Sequence, residues 1–454
     1  MKIIIAGAGK VGHSIAASLS REGHDITVID RNADTIMQIS NELDVICVEG
    51  SATNPETLCE AGAAGADLLI AATERDEVNM VCGISARKLG TANVVARIRD
   101  PEYLSQTEFL RDALGLSVIV NPEYECAMEI SRILRFPSAV RVDAFSKGSV
   151  ELVQHRVSEN GKLNGMQLKD LPQTFGAKIL VAVVERNGEA IIPNGLFTLQ
   201  AGDRLNITGS AKELRKFFVA TRQYKKPVRR VMIMGGSRIA VYLTRILLDC
   251  GMEVSVVERT RQRCDELCEL TPAAHIIYGD ATRSDVLLEE GLRYTDAFVA
   301  LAGDDGDNII TSIYAQHCNV GKIVTKVNRE HFSEILESSG LESVVSPKEL
   351  VAEQLTRYAR AMHNSMGGSM ETLYRLAEGR VEALEFKVGE GAACVGVSLK
   401  DLHLKKNVLI SSLVRGGASM IPDGGTVIEP GDNIVVVAEA GMVRSLNQIV
   451  EGGK

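Results

Sequence analysis

Short apolar runs alternate with longer amphipathic stretches along much of the chain. Ile3-Ile5, Ile26-Ile29, Leu68-Ala71 and Val94-Arg97 read as strands, because each is brief, branched-apolar and bounded by glycine or polar residues. The stretches between them carry helical spacing, and a helix is predicted from about Lys10 to Leu19. Apolar strands separated by helices imply a parallel sheet covered on both faces. A second kind of segment follows. Val181-Val184, Ala190-Ile192 and Leu205-Thr208 are separated by the turn sequences Arg186-Asn187-Gly188 and Pro193-Asn194-Gly195, which predicts a small antiparallel meander. A helix from about Ala211 to Val219 closes it. Between the two kinds of segment, Pro122 to Arg135 places Cys126, Ile130, Ile133 and Leu134 on one helical face. That stripe suits a linking helix that pairs two sheet units.

The whole pattern occurs twice. Lys2 to Arg31 matches Arg230 to Thr260, with Gly7 opposite Gly235 and Asp30 opposite Glu258. Gly50-Ser51-Ala52-Thr53 returns as Gly279-Asp280-Ala281-Thr282, and Asn79 falls opposite Asn308. The meander repeats too: Leu168-Lys169-Asp170-Leu171 returns as Leu399-Lys400-Asp401-Leu402, and Ala201-Gly202-Asp203 as Pro430-Gly431-Asp432. So many matches in one order mean a tandem duplication. The expected parts are a first sheet domain at 1–121, a linking helix at 122–138 and a small domain at 139–224. A second sheet domain at 229–349, a linking helix at 350–366 and a small domain at 367–454 follow, with a linker near Arg222 to Val228.

Composition narrows the function. The 454 residues suffice for about three domains, each with its own core. Hydrophobic residues make up 45% and the formal net charge is −9. An acidic chain with scattered Lys and Arg lacks the basic surface that nucleic-acid backbones require. The densest cluster, Lys225-Lys226 with Arg229-Arg230, reads as solvated linker. No apolar run reaches the roughly 18 residues of a membrane span. MKIIIAGAGKVG is broken early by glycine and does not read as a signal peptide. Nine cysteines without a CxxC pair read as reduced thiols. Cys264 and Cys268 alone fall short of a zinc ligand set. The acidic loop Asp304-Asp305-Gly306-Asp307 lacks the calcium-loop spacing, because its twelfth position is Ala315.

Gly7-Ala8-Gly9-Lys10-Val11-Gly12 has the GxGxxG form, follows a strand and opens a helix. The first glycine allows the tight turn, the second admits a pyrophosphate to the backbone, and the third lets helix and strand approach. The helix N-terminus offers unpaired N–H groups to the anion. Asp30 ends the next strand, about 20 residues on, where a carboxylate accepts from a ribose 2′-hydroxyl and repels a 2′-phosphate. That favours NAD over NADP. Ser51-Ala52, Thr73-Glu74-Arg75-Asp76 and Arg97 end the other strands and are expected to line the same crevice. Arg97 reads either as a phosphate or ribose contact or as the partner of an acid such as Asp76. The second loop, Gly235-Gly236-Ser237-Arg238-Ile239-Ala240, keeps only its first motif glycine. Ser237 adds a side chain on the phosphate approach, Glu258 retains the ribose acid, and Arg238 could hold a phosphate itself.

These segments together resemble the TrkA family, cytosolic regulators of Trk potassium uptake built from RCK domains. The carrying sequences are MKIIIAGAGKVG, ITVIDRN, TERDEVNM, VARIRDPEY, the Asn121-Pro122-Glu123 helix start, and GDAT at Gly279–Thr282, with VVERNGEAIIPNG and VLISSLVRGGASMIPDG in the small domains. The resemblance covers essentially the whole chain. It implies an α/β chain with two Rossmann-like doubly wound domains, each followed by a small α+β domain. It implies NAD contacts at Gly7, Ala8, Gly9, Lys10, Val11, Asp30, Thr73, Glu74 and Arg97. The matching second set is Gly235, Gly236, Ser237, Arg238, Ile239, Glu258, Asp280 and Lys326. Ser51 departs from the family, which often has Asp there; Asp280 keeps it. NAD(H) is the implied cofactor, with ATP or ADP as further ligands. The implied partners are a Trk-type membrane potassium channel or transporter subunit and further copies of the chain, as a tetramer, on the inner face of the membrane. Two alternatives stay open. An RCK-type regulator of a different cation transporter would share the same fold. An NAD-dependent dehydrogenase would need a proton donor by the nicotinamide, and the chain has no YxxxK and only dispersed histidines.

Overall fold

The computed structural model describes residues 1–104, 106–135, 142–145, 150–221, 227–328, 336, 339–341, 343–365 and 370–451. Most of the linker at 222–228, with Lys225 and Lys226, and residues 136–138 and 366 of the expected linking helices lie outside them. The chain forms two compact units, one of residues 1–131 with 229–359, the other of residues 132–228 with 360–454.

The first unit holds two parallel sheets. Strands β1 (Lys2–Ala6), β2 (Asp25–Asp30), β3 (Ile46–Glu49), β4 (Leu68–Ala71), β5 (Asn93–Arg97) and β6 (Val118–Val120) form one sheet in the order 3-2-1-4-5-6. β1 runs parallel to both β2 and β4, with Ile3 opposite Ile26 and Leu68. All four residues of β4 are buried, which is why it shows no polar alternation. The helix Lys10–Arg21 buries Ile15, Ala16 and Leu19 against the sheet. The chain reverses its strand order between β1 and β4, so a crevice opens at their carboxyl ends.

The second sheet repeats this order with β12 (Arg230–Met234), β13 (Glu253–Glu258), β14 (His275–Tyr278), β15 (Ala297–Ala300), β16 (Lys322–Lys326) and β17 (Val344–Val345). The helices after β6 and β17 run Pro122–Arg135 and Pro347–Ser365. The striped residues Cys126, Ile130, Ile133 and Leu134 are all buried.

Side chains cross between the repeats inside this unit. Ser18 and Thr356 share a buried hydroxyl contact of 2.8 Å. Tyr242, on the helix Arg238–Asp249, donates to the Arg99 carbonyl at 2.9 Å and accepts from Asn121 Nδ2 at 3.1 Å. Its ring meets Tyr124 edge-on, centroids 5.6 Å apart.

The second unit holds two antiparallel sheets. Strands β7 (Val142–Phe145), β8 (Val150–Arg156), β9 (Leu180–Arg186), β10 (Glu189–Ile191) and β11 (Arg204–Gly209) form one, ordered 10-9-11-8-7. Strands β18 (Met370–Leu376), β19 (Val381–Lys387), β20 (Val408–Arg415), β21 (Ala418–Met420) and β22 (Asn433–Glu439) form the other, ordered 18-19-22-20-21. The predicted meander is the β9, β10 and β11 part; β7 and β8 extend it. Val150, Leu152, Ala182 and Val183 pack with Val381, Ala383, Val435 and Val437 in one core. The repeated Gly-Asp turns carry the same clamp. Arg186 grips Asp203 with two bonds of 2.7 Å, and Arg415 grips Asp432 with bonds of 2.8 and 2.7 Å. Both aspartates are buried, where a bidentate guanidinium satisfies their charge.

A second pair of acids diverges. Glu382 on β19 takes an ion pair of 3.0 Å from Arg360 and a bond of 3.1 Å from the Gly441 N–H. Its counterpart on β8, Glu151, has one buried oxygen that accepts no hydrogen bond among the described residues. Burial pushes the Glu151 carboxyl up to about 7, against the opposing field of Arg135.

Candidate nucleotide site

The first glycine loop is shaped by backbone contacts. Gly7 has φ +105°, and a Cβ there would come within 2.9 Å of the Thr73 nitrogen. A Cβ on Gly12 would stand 1.8 Å from the Gly7 carbonyl oxygen, so only glycine lets this helix approach its strand. Gly9 differs. Its φ of −64° suits any residue, yet a Cβ there would meet nothing within 4 Å. The space over Gly9, at the start of the helix Lys10–Arg21, is therefore open to a ligand, with unpaired N–H groups at its edge.

Asp30 borders that space. Its carboxylate accepts from the Ala8 N–H at 2.7 Å and the Asn32 N–H at 2.9 Å. The loop and the β2 end thus hold each other. Ala8 is buried, Lys10 is exposed and Val11 is half-buried in the first helical turn. Beyond β3, Arg31 Nη2 donates to Ser51 Oγ at 2.6 Å, and Ser51 and Thr53 share a hydroxyl contact of 2.9 Å.

On the other side of the crevice the β4 and β5 ends are tied by Asn79, which has no solvent exposure. It accepts from the Thr73 N–H at 2.8 Å and Oγ1 at 2.6 Å, and donates to the carbonyls of Thr73 at 3.1 Å and Arg97 at 2.8 Å. Thr73 thereby spends its hydroxyl on Asn79. Glu74 is exposed, with its carbonyl held by Arg99. The Arg97 side chain is only 11% exposed. Its nearest acid is Glu123 at 3.9 Å, which also lies 3.8 Å from Arg99. The expected acidic partner Asp76 instead accepts from the Arg99 and Asp100 N–H groups, both at 2.9 Å. Burial lowers the Arg97 pKa, offset in part by Glu123.

The second loop copies the backbone and places a side chain where the first has Gly9. Gly235 has φ +92°. Glu258 accepts from Gly236 N–H at 2.7 Å and Thr260 N–H at 2.8 Å, the arrangement of Asp30. Burial raises the Glu258 pKa, but these bonds outweigh it and hold the carboxyl below its usual range. Ser237 replaces Gly9 and turns its Oγ to cap Ala240 N–H at 3.4 Å. Arg238 opens the helix and Ile239 is buried. Arg263 Nε donates to the Gly236 carbonyl at 2.7 Å, and a Cβ on Gly236 would meet Leu267 at 2.6 Å.

Asn308 repeats the clamp of Asn79, bonding the Ala302 N–H and the carbonyls of Ala302 and Lys326. Lys326, the match of Arg97, is buried and gives its Nζ to the Ala302 carbonyl at 2.6 Å. Burial lowers its pKa, with Cys126 and Asp305 opposing. Asp280 accepts from Thr282 N–H at 3.0 Å and Oγ1 at 2.8 Å. Its carboxyl is held below the usual range by those bonds, the hydroxyl first.

The TrkA-N domain model matches residues 3–122 and 231–347, and the TrkA-C domain model matches 152–220 and 383–450. The chain belongs to the TrkA family. It is 32% identical to a Trk system potassium uptake protein TrkA homolog of Archaeoglobus fulgidus over 99% of this chain and 100% of that one. It is 31% identical to the Trk system potassium uptake protein TrkA of Vibrio alginolyticus over 96% of this chain and 95% of that one. Among solved structures, the GsuK RCK domain superposes with a TM-score of 0.61 at 18% identity, covering 96% of this chain and 92% of that chain. The GsuK channel bound to NAD also gives 0.61 at 18%, covering 99% and 79%. These two likenesses concern the fold, which is that of the TrkA family: two Rossmann-like domains, each with a TrkA-C domain, in tandem.

Within this TrkA-family frame, sequence reading found the loops and their acids but gave no role to four residues. Asn79 and Asn308 were visible as a repeated pair, and a buried amide at matched positions is a clamp signal. Arg263 and Glu123 had no such signal, because their contacts join segments far apart in sequence. The acidic loop at 304–307 is a helix start: Asp304 caps the Asp307 N–H at 3.0 Å.

Proposed function

We propose that this chain is the NAD(H)-binding, cytoplasmic regulatory subunit of a Trk-type potassium uptake system. It would assemble as a homo-oligomer, a tetramer, on the inner face of the membrane against the transporter subunit. The observation that carries the ligand is the open space over Gly9 beside a carboxylate fixed by Ala8 and Asn32. A dinucleotide pyrophosphate fits there, with the ribose hydroxyls on Asp30. Gly7, Ala8, Gly9, Lys10, Val11, Asp30, Thr73, Glu74 and Arg97 form the proposed first site. ATP or ADP would use the same phosphate cradle. Gly235, Gly236, Ser237, Arg238, Ile239, Glu258, Asp280 and Lys326 form a weaker second site, because Ser237 carries a side chain where Gly9 has none and Arg263 holds the Gly236 carbonyl. The domain limits at 121, 138, 224, 229, 349 and 366 are the proposed seams of this machine.

Regulation needs a ligand that binds two arrangements of the subunit unequally, since equal affinity shifts no equilibrium. The clamps at Asn79 and Asn308 join the strand ends that such a ligand touches. Titration calorimetry of the full chain with NADH, NAD, ATP and ADP tests the reading. About one tight site per chain is expected. The absence of heat with all four would overturn it.

A further inference from the structure

We infer that Arg135 and Glu151 form a proton-gated latch at the end of the first linking helix: it stands open while the Glu151 carboxyl holds its proton, and closes into an ion pair when that proton leaves. The inference is independent of the nucleotide sites. The duplication supplies the template. Pro122 matches Pro347, so Arg135 is the counterpart of Arg360. Glu151 is the counterpart of Glu382, because Val157 and Val388, the same distance beyond the two acids, donate their N–H groups to the carbonyls of Asp203 and Asp432, both at 2.8 Å.

In the second repeat the latch is closed. Arg360 Nη1 lies 3.0 Å from Glu382 Oε1, the Gly441 N–H donates to Oε2 at 3.1 Å, and Arg375 stands opposite Glu382 on the flanking strand β18. In the first repeat both members are present and unjoined. Arg135 is exposed and makes no ion pair among the described residues, and Glu151 keeps its buried Oε2 without a hydrogen bond. The positions opposite Glu151 on the flanking strands are Ala144 on β7 and Gly209 on β11, neither of them charged. Among the described residues, Arg135 is the charged group that faces the carboxyl.

The chemistry sets the direction. A carboxylate with a buried, unbonded oxygen is costly, so the neutral acid is the stable form there until the solution is alkaline enough to remove its proton. Burial places that step at about 7. An exposed guanidinium gains little from a neutral neighbour and stays in water. Once the proton leaves, the buried charge needs a counter-ion, and Arg135, which keeps its own charge throughout, supplies it. The closed latch ties the last turn of the linking helix to β8. The open one leaves that turn to the packing of Ile133 and Leu134, which are buried. Proton concentration thus acts where the chain leaves the unit of residues 1–131 and enters the small domains.

Thermal melting of the full chain at about pH 5.5 and about pH 8.5, on either side of the step, tests the latch. Arg135→Ala should lower the melting temperature by about 2–4 °C at the higher pH and leave it in place at the lower. In a Glu151→Gln background, Arg135→Ala should change nothing at either pH. Arg360→Ala, on the closed pair, should lower the melting temperature at both. Arg135→Gln, which removes the charge and keeps a polar side chain, should repeat the result of Arg135→Ala. An equal loss at the two pH values, no loss at either, or a loss that survives Glu151→Gln overturns the latch.

Discussion

Gly9 and Ser237 stand at the same step of the two repeats, with φ near −64° and −66° and fully extended ψ. The backbone there would accept either residue in either repeat. Over Gly9 there is open space; beside Ser237 the hydroxyl caps its helix and Arg263 spans the Gly236 carbonyl. The acids Asp30 and Glu258 are held alike, each by one loop N–H and one N–H two residues on. A Rossmann loop can thus keep its frame while the residue at its second glycine changes. The frame belongs to the fold, and the second glycine is the step at which the two loops part.

The largest difference between the two loops is expected at the third glycine. Gly12→Ala should cost about 3 kcal/mol, near the upper end for overpacking, because its Cβ would overlap the Gly7 carbonyl. Ala240 already carries that methyl group buried in the second repeat, and Ala240→Gly should cost only about 1 kcal/mol of helix propensity. Urea unfolding of both variants checks this, and equal losses would mean that the two helices sit at the same height.

Next is the ligand space. Gly9→Glu should weaken NAD at least about 100-fold, about 2.7 kcal/mol, while leaving the unfolding midpoint in place. Calorimetry beside thermal melting separates the two readouts; a binding loss that tracks unfolding would remove the site argument.

Glu151 of the first small domain provides a pH test. Glu151 ionises near 7 when folded and near its ordinary 4.5 when unfolded. The folded state holds the proton more tightly, so this group's contribution is complete below about 4.5 and is lost as pH rises to about 7. About 2 kcal/mol should disappear over that window, less than the full shift because the side chain is only partly buried. Glu151→Gln should flatten the slope of stability against pH. An unchanged slope would place the source elsewhere.

The smallest effect is expected at Ser237. Ser237→Gly should cost a few tenths of a kcal/mol in capping and strengthen nucleotide binding at the second repeat, read as a rise in calorimetric stoichiometry. No rise would assign the closure to Arg263 alone.

Much of this was legible in the chain. The β1 and β2 runs, the glycine spacing and Asp30 are local signals, and each pairs with a copy in the second half. The apolar stripe at Cys126, Ile130, Ile133 and Leu134 announced a buried helix face. The structure adds β7 and β8, whose alternation is weak in the sequence because Glu151 and His155 interrupt it. It also adds the partners of Arg97, Tyr242 and Arg263. Those contacts depend on where distant segments meet, and Tyr242 finds Arg99 across 143 positions. Residue type at one site does not encode such a meeting. A difference near the end of the small domains was equally hidden: among the described residues, Leu446–Ile449 forms a single 3-10 turn where the first small domain has the helix Ala211–Ala220.

The Tyr242 bridge bears on how a duplicated chain evolves. Two separate copies paired about a symmetry axis must carry every residue twice, so a tyrosine that suits one side of the junction is imposed on the other. Here the position matching Tyr242 in the first repeat is Ser14. Joining the copies in one polypeptide lifted the symmetry constraint. After the fusion, one flank could be sealed by a phenol and the other left with a small hydroxyl, and selection could act on each separately. An ancestor with a single repeat had no means of making that distinction.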